Sequence, residues 1–226
     1  MIGVFDSGDG GLCTVEKIRE LMPCADICFF ADRQNAPYGT KSRSEIITLT
    51  KKNIKRLKRE GAQKVLIACC TASSVYPALS EEEKAIAVPI IDATARAAIA
   101  KTKSKKIGVI ATKATVLSGA FERSIKRILP DAEVYTEQTQ ELVSLIESGE
   151  CDANLKRRTY EKLEKILKNI KRYPYDVLIL GCTHFPRLEK TISDIVQRET
   201  VSSALAGAEE ILKAAHVRGS GKNIFL

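Results

Sequence analysis

The chain of 226 residues contains no tryptophan and only 5% aromatic residues, so it lacks the stacking platform on which single-stranded nucleic acids are held. No apolar run approaches the roughly 20 residues that a membrane span requires, and no membrane partner is expected. Zinc-ligand spacing is missing too. Cys24 and Cys28 are followed by no second pair, and the two histidines, His184 and His216, lie far off in sequence, so no metal is expected. There is no recognisable secretory signal: Met1 runs directly into the strand-like Ile2-Gly3-Val4-Phe5, and a cytoplasmic protein is expected. Seven cysteines form an odd set, which in that setting argues for free thiols and against a disulfide framework.

What is present is an ordinary globular composition, 44% hydrophobic and 28% charged, sufficient for a substantial core. The length suits one large α/β domain or two lobes of about 100 residues each. A net charge of +8 raises the question of an anionic partner. The basic residues at 51–59, 101–106 and 156–172 alternate with apolar ones at helical spacing, and Glu161 and Glu164 interrupt the last run. These stretches read as solvated helix faces, and nucleic acid is not an expected partner.

Strand-like and helix-like segments alternate along the chain. Strands are predicted over 2–5, 27–31, 64–68 and 90–92, with helices over 14–21, 44–60, 71–84 and 93–101. A second series has strands over 106–111, 133–136 and 177–180, with helices over 120–129, 142–147, 155–171 and 188–198. Both series open on Ile-Gly-Val, and both later carry a Val-Leu-Ile strand ending near Cys-Thr. The pattern predicts an α/β fold of two similar lobes, each a mostly parallel sheet flanked by helices. Residues 1–92 plus 201–226 would form the first lobe, to which a helix over 205–215 returns, and 93–200 the second. A crevice between the lobes would collect the carboxyl ends of strands from both, where open parallel sheets bind ligands.

The chemistry concentrates at four strand ends. Val65-Leu66-Ile67-Ala68-Cys69-Cys70-Thr71-Ala72-Ser73 and Val177-Leu178-Ile179-Leu180-Gly181-Cys182-Thr183-His184 both end a buried strand on a thiol. One such cysteine is most often core. Two at equivalent positions point to thiols facing a common pocket, and a helix N-terminus behind each would lower its pKa enough to populate thiolate at neutral pH. The turn Asp6-Ser7-Gly8-Asp9-Gly10-Gly11 offers a carboxylate, a hydroxyl and exposed backbone N–H groups. It lacks the Lys and Ser/Thr of a phosphate loop and breaks the dinucleotide spacing. The loop 32–42, with Pro37-Tyr38-Gly39, would either hold polar groups over the crevice or merely connect two elements.

Together these segments resemble the glutamate racemase family of the aspartate/glutamate racemase superfamily over nearly the whole chain. The matches are Phe5-Asp6-Ser7-Gly8 with Gly10-Gly11-Leu12, Pro37-Tyr38-Gly39 with Lys41-Ser42, Ile67-Ala68-Cys69 with Thr71-Ala72-Ser73, and Gly181-Cys182-Thr183-His184-Phe185-Pro186. The resemblance implies inversion of glutamate at its α-carbon without a cofactor, to supply D-glutamate for peptidoglycan. One thiolate would remove the α-proton while the opposite thiol delivers another to the far face, as a 1,1-proton transfer with inversion requires. By the same resemblance Cys69 would serve D-glutamate and Cys182 L-glutamate, assisted by Asp6 and His184 respectively, with Glu147 a further contributor. Ser7, Thr71, Thr112 and Thr183, with the Pro37-Tyr38-Gly39 turn, would hold the substrate, and a homodimer is the implied assembly.

One departure stands out: Cys70 occupies the position of the family's Asn, exchanging an amide for a thiol that hydrogen-bonds weakly. Matching the two strand runs residue for residue sets Cys182 opposite Cys70, whereas the motif selects Cys69. Cys70 keeps open a racemase of altered acidic amino-acid preference, and the net charge a catalytically silent binding protein on the same fold. Vicinal Cys69 and Cys70 raise a redox protein, against which stands the strain of a disulfide between neighbours.

Overall fold

The structure, a computed structural model, describes residues 1–149, 157–215 and 219–226. In chain order the first series is β1 (Ile2–Asp6), α1 (Leu12–Leu21), β2 (Ile27–Ala31), α2 (Arg43–Arg59), β3 (Lys64–Ile67), α3 (Cys70–Ser73), α4 (Glu81–Ile86), β4 (Ala87–Pro89) and α5 (Ile90–Lys101). The second is β5 (Lys106–Ala111), α6 (Lys113–Ser118), α7 (Ala120–Ile128), β6 (Glu133–Gln138), α8 (Gln140–Glu147), α9 (Arg157–Ile166), β7 (Val177–Gly181), α10 (Glu189–Val196) and β8 (Glu199–Ser202). The chain ends with α11 (Ser203–Ala214) and β9 (Asn223–Phe225).

Two parallel sheets result, ordered β4-β3-β1-β2-β9 and β6-β5-β7-β8. The central strands carry almost unbroken apolar runs because helices cover both faces of each sheet, and every residue of β1, β2 and β7 is buried. One apolar cluster joins the two sheets: Val4 of β1, Leu66 of β3, Val109 of β5 and Ile179 of β7 meet side chains of α1, α5, α7 and α11 between them. The outer face of the first sheet is closed by α2, through Ile46, Ile54 and Leu57. That helix starts on a capping box in which Ser42 and Glu45 satisfy each other's backbone N–H groups. The outer face of the second sheet is covered by α8, α9 and α10.

Several expectations need correction. The helix predicted over 71–84 is broken into α3, a turn of 3-10 helix at Tyr76–Ala78, and α4, because Pro77 cannot continue an α-helix and Ser80 with Glu83 caps a new one. The strand placed at 90–92 lies instead at Ala87–Pro89. Pro89 offers no N–H to extend the ladder, and Ile90, Ile91, Thr94, Ala95 and Ala98 fall on the buried face of α5. Thr112 caps the short α6, which was not anticipated, and the strands β8 and β9 were also missed. Of the helix expected over 155–171, residues 155 and 156 lie outside the described residues, as do Cys151 and His216. Its remainder is α9 followed by a 3-10 turn at Ile170–Arg172.

Candidate active site

Strand register sets the site. Phe5 of β1 pairs with Ile67 of β3, and Ala111 of β5 with Gly181 of β7. The segments that follow these adjacent ends, Asp6-Ser7 with Cys69-Cys70-Thr71 and Thr112 with Cys182-Thr183-His184, emerge on opposite walls of one crevice. Its lining comprises Ser7, Pro37, Tyr38, Gly39, Cys69, Cys70, Thr71, Thr112, Glu147, Cys182, Thr183 and His184. Asp6 is completely buried behind Ser7. The crevice also receives Gly8, Ala36, Gln140, Val143 and Gly181, to which the sequence reading assigned no site role. It measures about 30 Å³, room for a few atoms of solvent rather than an amino acid, so the lobes must part to admit one.

Each thiol has its own polar partner. Cys69 Sγ lies 3.2 Å from Ser7 Oγ and accepts from the Ala72 N–H at 3.4 Å, because Cys69 is the N-cap of α3. Behind Ser7, Asp6 Oδ1 accepts from the Gly8 N–H at 2.9 Å and from Ser7 Oγ at 3.5 Å. On the other wall Cys182 Sγ is 3.6 Å from His184 Nδ1, and His184 Nε2 is 3.2 Å from Glu147 Oε1. The two walls touch at Gly10, where a Cβ would fall 2.5 Å from Thr183 Oγ1 and 2.9 Å from His184 Nδ1. Only glycine allows that approach.

The expectation of thiolate at neutral pH is overturned by burial. Burial pushes Cys69 up to about 11, the charge of Asp6 adds to the effect, and the hydrogen bonds from Ser7 and Ala72 only partly oppose it. Cys182 is raised as well, by burial first, and a charge on Cys69 raises it further. Cys70 is raised by burial and by the two neighbouring thiols. A helix as short as α3 supplies one N–H to the sulfur, which is less than the water lost on burial. Asp6 is itself raised by burial, against the pull of His184 and the Gly8 N–H.

The floor between the walls is made of hydroxyls. Thr71, Thr112 and Thr115 form a closed triangle with Oγ1 separations of 2.9, 3.1 and 2.9 Å. The place of Thr115 in the triangle follows from the cap that Thr112 provides to α6. The Tyr38 hydroxyl points elsewhere: it donates to Asp32 Oδ2 at 2.6 Å and accepts from Asn53 Nδ2 at 2.9 Å. Burial works to raise Asp32, but the hydrogen bonds from Tyr38, Asn53 and Asn35 outweigh it and hold the carboxyl below its ordinary range. Tyr38 therefore anchors the 37–39 turn, which presents its backbone and Gly39 to the crevice.

Two parallel-sheet lobes that bring two thiols to one crevice have the architecture of the amino-acid racemases that this chain resembles. The chain belongs to the Asp/Glu/Hydantoin racemase family, which matches residues 15–211. A glutamate racemase of Aquifex aeolicus is 35% identical over 224 residues, covering 97% of this chain and 85% of that protein. Among solved structures, the glutamate racemase of Francisella tularensis in complex with D-glutamate superposes with a TM-score of 0.89 at 30% identity, over 99% of this chain and 86% of that one. A glutamate racemase isoform of Bacillus anthracis gives 0.88 at 29% identity, over 100% and 86%.

Proposed function

We propose that this racemase interconverts L- and D-glutamate by a two-thiol 1,1-proton transfer without a cofactor, and that it supplies D-glutamate for peptidoglycan in the cytoplasm. What supports the mechanism is that Cys69, from the first lobe, and Cys182, from the second, line one crevice, each with a separate polar partner. With D-glutamate bound, Cys69 as thiolate takes the α-proton while Cys182 as thiol delivers its proton to the opposite face. The reverse reaction starts from the opposite protonation state. Because a charge on one sulfur raises the pKa of the other, the pair resists a second negative charge, so when one thiol ionises the other stays protonated, as the reaction needs.

Asp6 and Ser7 stand behind the first thiol, and His184 with Glu147 behind the second. Thr71 and Thr112, with Thr115, supply O–H donors to a substrate carboxylate and to the negative charge that develops when the α-proton leaves. Ser7, Thr183 and the backbone of Pro37-Tyr38-Gly39 complete the substrate contacts, with Cys70 on the wall beside Cys69.

Purified protein, incubated in deuterated water with each enantiomer of glutamate and of aspartate and no added cofactor, tests the reading. Inversion of glutamate with α-deuterium incorporation is the expected outcome. Preference for aspartate would move the substrate assignment, and absence of exchange with every acidic amino acid would overturn the enzyme reading.

A further inference from the structure

Among the described residues lining the crevice there is no lysine or arginine. With His184 engaged by Cys182 and Glu147, a dicarboxylate seated there is left to neutral donors: hydroxyls, backbone N–H groups and whatever side-chain amides reach it. Gln140 is the one side-chain amide in that lining. It opens α8, and Val143 and Glu147 on the same helix also face the crevice. Glu147 lies two turns further on, about 10 Å along the axis, where it meets His184.

The two ends of this helix therefore serve different ends of the pocket. The acids Asp6 and Glu147 belong to the thiol and histidine end, which suits an ammonium. The Gln140 end is uncharged: a Cβ on Gly39 would lie 2.6 Å from Gln140 Oε1 and 3.0 Å from Thr112 Cβ, so the amide sits beside the threonine floor. Its Oε1 is buried and, among the described residues, has no hydrogen-bond partner. A buried amide end without a partner is costly unless a ligand completes it. Half a turn about the last side-chain bond brings Nε2, with two donors, to the same place.

We propose that Gln140 is a substrate-binding residue, whose Nε2 donates to the substrate carboxylate that docks at the threonine end. The proposal rests on the glutamate racemase reading and adds to it the residue through which the second lobe grips the substrate. The contact exists equally in the bound substrate and in the transition state, so its loss weakens binding and leaves turnover of bound substrate in place.

The test is steady-state racemisation in both directions by the full chain and by Gln140→Met and Gln140→Glu, together with calorimetric binding of D-glutamate and thermal melting. Methionine keeps the length and volume without the amide. It should raise KM and Kd about tenfold, the low end for a lost hydrogen bond to a charged group, with kcat within about twofold and the melting midpoint unchanged. Glutamate at 140 keeps the shape but sets a charge against the carboxylate, and should raise KM several-fold beyond the methionine variant. Parent-like KM and Kd for Gln140→Met would overturn the proposal. So would parent-like binding by Gln140→Glu, which would assign the amide to the ammonium. A parent chain that binds D-glutamate without racemising it would sink the function reading instead, and the Kd comparison would still decide the role of Gln140.

Discussion

Deprotonation of Cys69 in the empty enzyme should fall far outside the ordinary thiol range. The thiol is buried and pushed up to about 11. At pH 7.5 roughly one molecule in three thousand then carries the thiolate, and forming it costs about 5 kcal/mol at 1.36 kcal/mol per pH unit. The sign is fixed by the dominant cause: burial penalises the charged form, so thiolate accumulates only as pH rises. The ultraviolet absorbance of thiolate, recorded across pH for the parent and for Cys69→Ser, isolates this group by difference. No increment is expected below about pH 9, where an unperturbed thiol of pKa ~8.5 is already mostly ionised. In the same protein kcat/KM for glutamate should climb about tenfold per pH unit from pH 6 to 8, because the reacting form is the minor one. A difference midpoint below pH 8 would refute the claim that burial outweighs the hydrogen bonds from Ser7 and Ala72.

Two further perturbations follow from the walls of the crevice. Cys69→Ala and Cys182→Ala should each lower inversion by at least about a thousandfold; Cys182→Ala should still exchange the α-hydrogen of D-glutamate but not of L-glutamate, by proton NMR in deuterated water. Near-normal racemisation by Cys69→Ala would transfer the base role to Cys70. Gly10→Ala would drive a Cβ to 2.5 Å from Thr183 Oγ1 and displace His184 from Cys182. A fall in kcat of about a hundredfold is expected from such misplacement, and parent-like kcat would show that the His184 position does not matter.

The fold was largely legible because parallel strands covered on both sides must be written in β-branched and leucyl residues, as Val65-Leu66-Ile67 and Val177-Leu178-Ile179 are. Edge strands escape that rule. In β8 only Val201 is buried, and β9 has no buried residue at all, so neither leaves an apolar run to read. The break at Pro77 was available in the sequence, but the alanines and serines around it read as one helix. At the site, Asp6, Ser7, the thiols and His184 follow strand ends directly and announce themselves by position. Gln140 does not, and Thr71 and Thr112 entered only through the family resemblance, because their contacts join residues of separate lobes: Thr71 to Thr112 and Thr115, and Gln140 beside Gly39. The pKa expectation failed for a related reason, since local hydrogen bonding was visible in the sequence and the extent of desolvation was not.

The narrowness of the crevice ties chemistry to mechanics. On the proposed two-thiol mechanism, a substrate that cannot pass between closed walls is exchanged only while the two sheets swing apart, and in that interval neither sulfur has its counterpart across the stereocentre. Each catalytic cycle therefore contains an opening and a shutting, and the frequency of that breathing is a ceiling on turnover that no improvement in acid or base strength can lift.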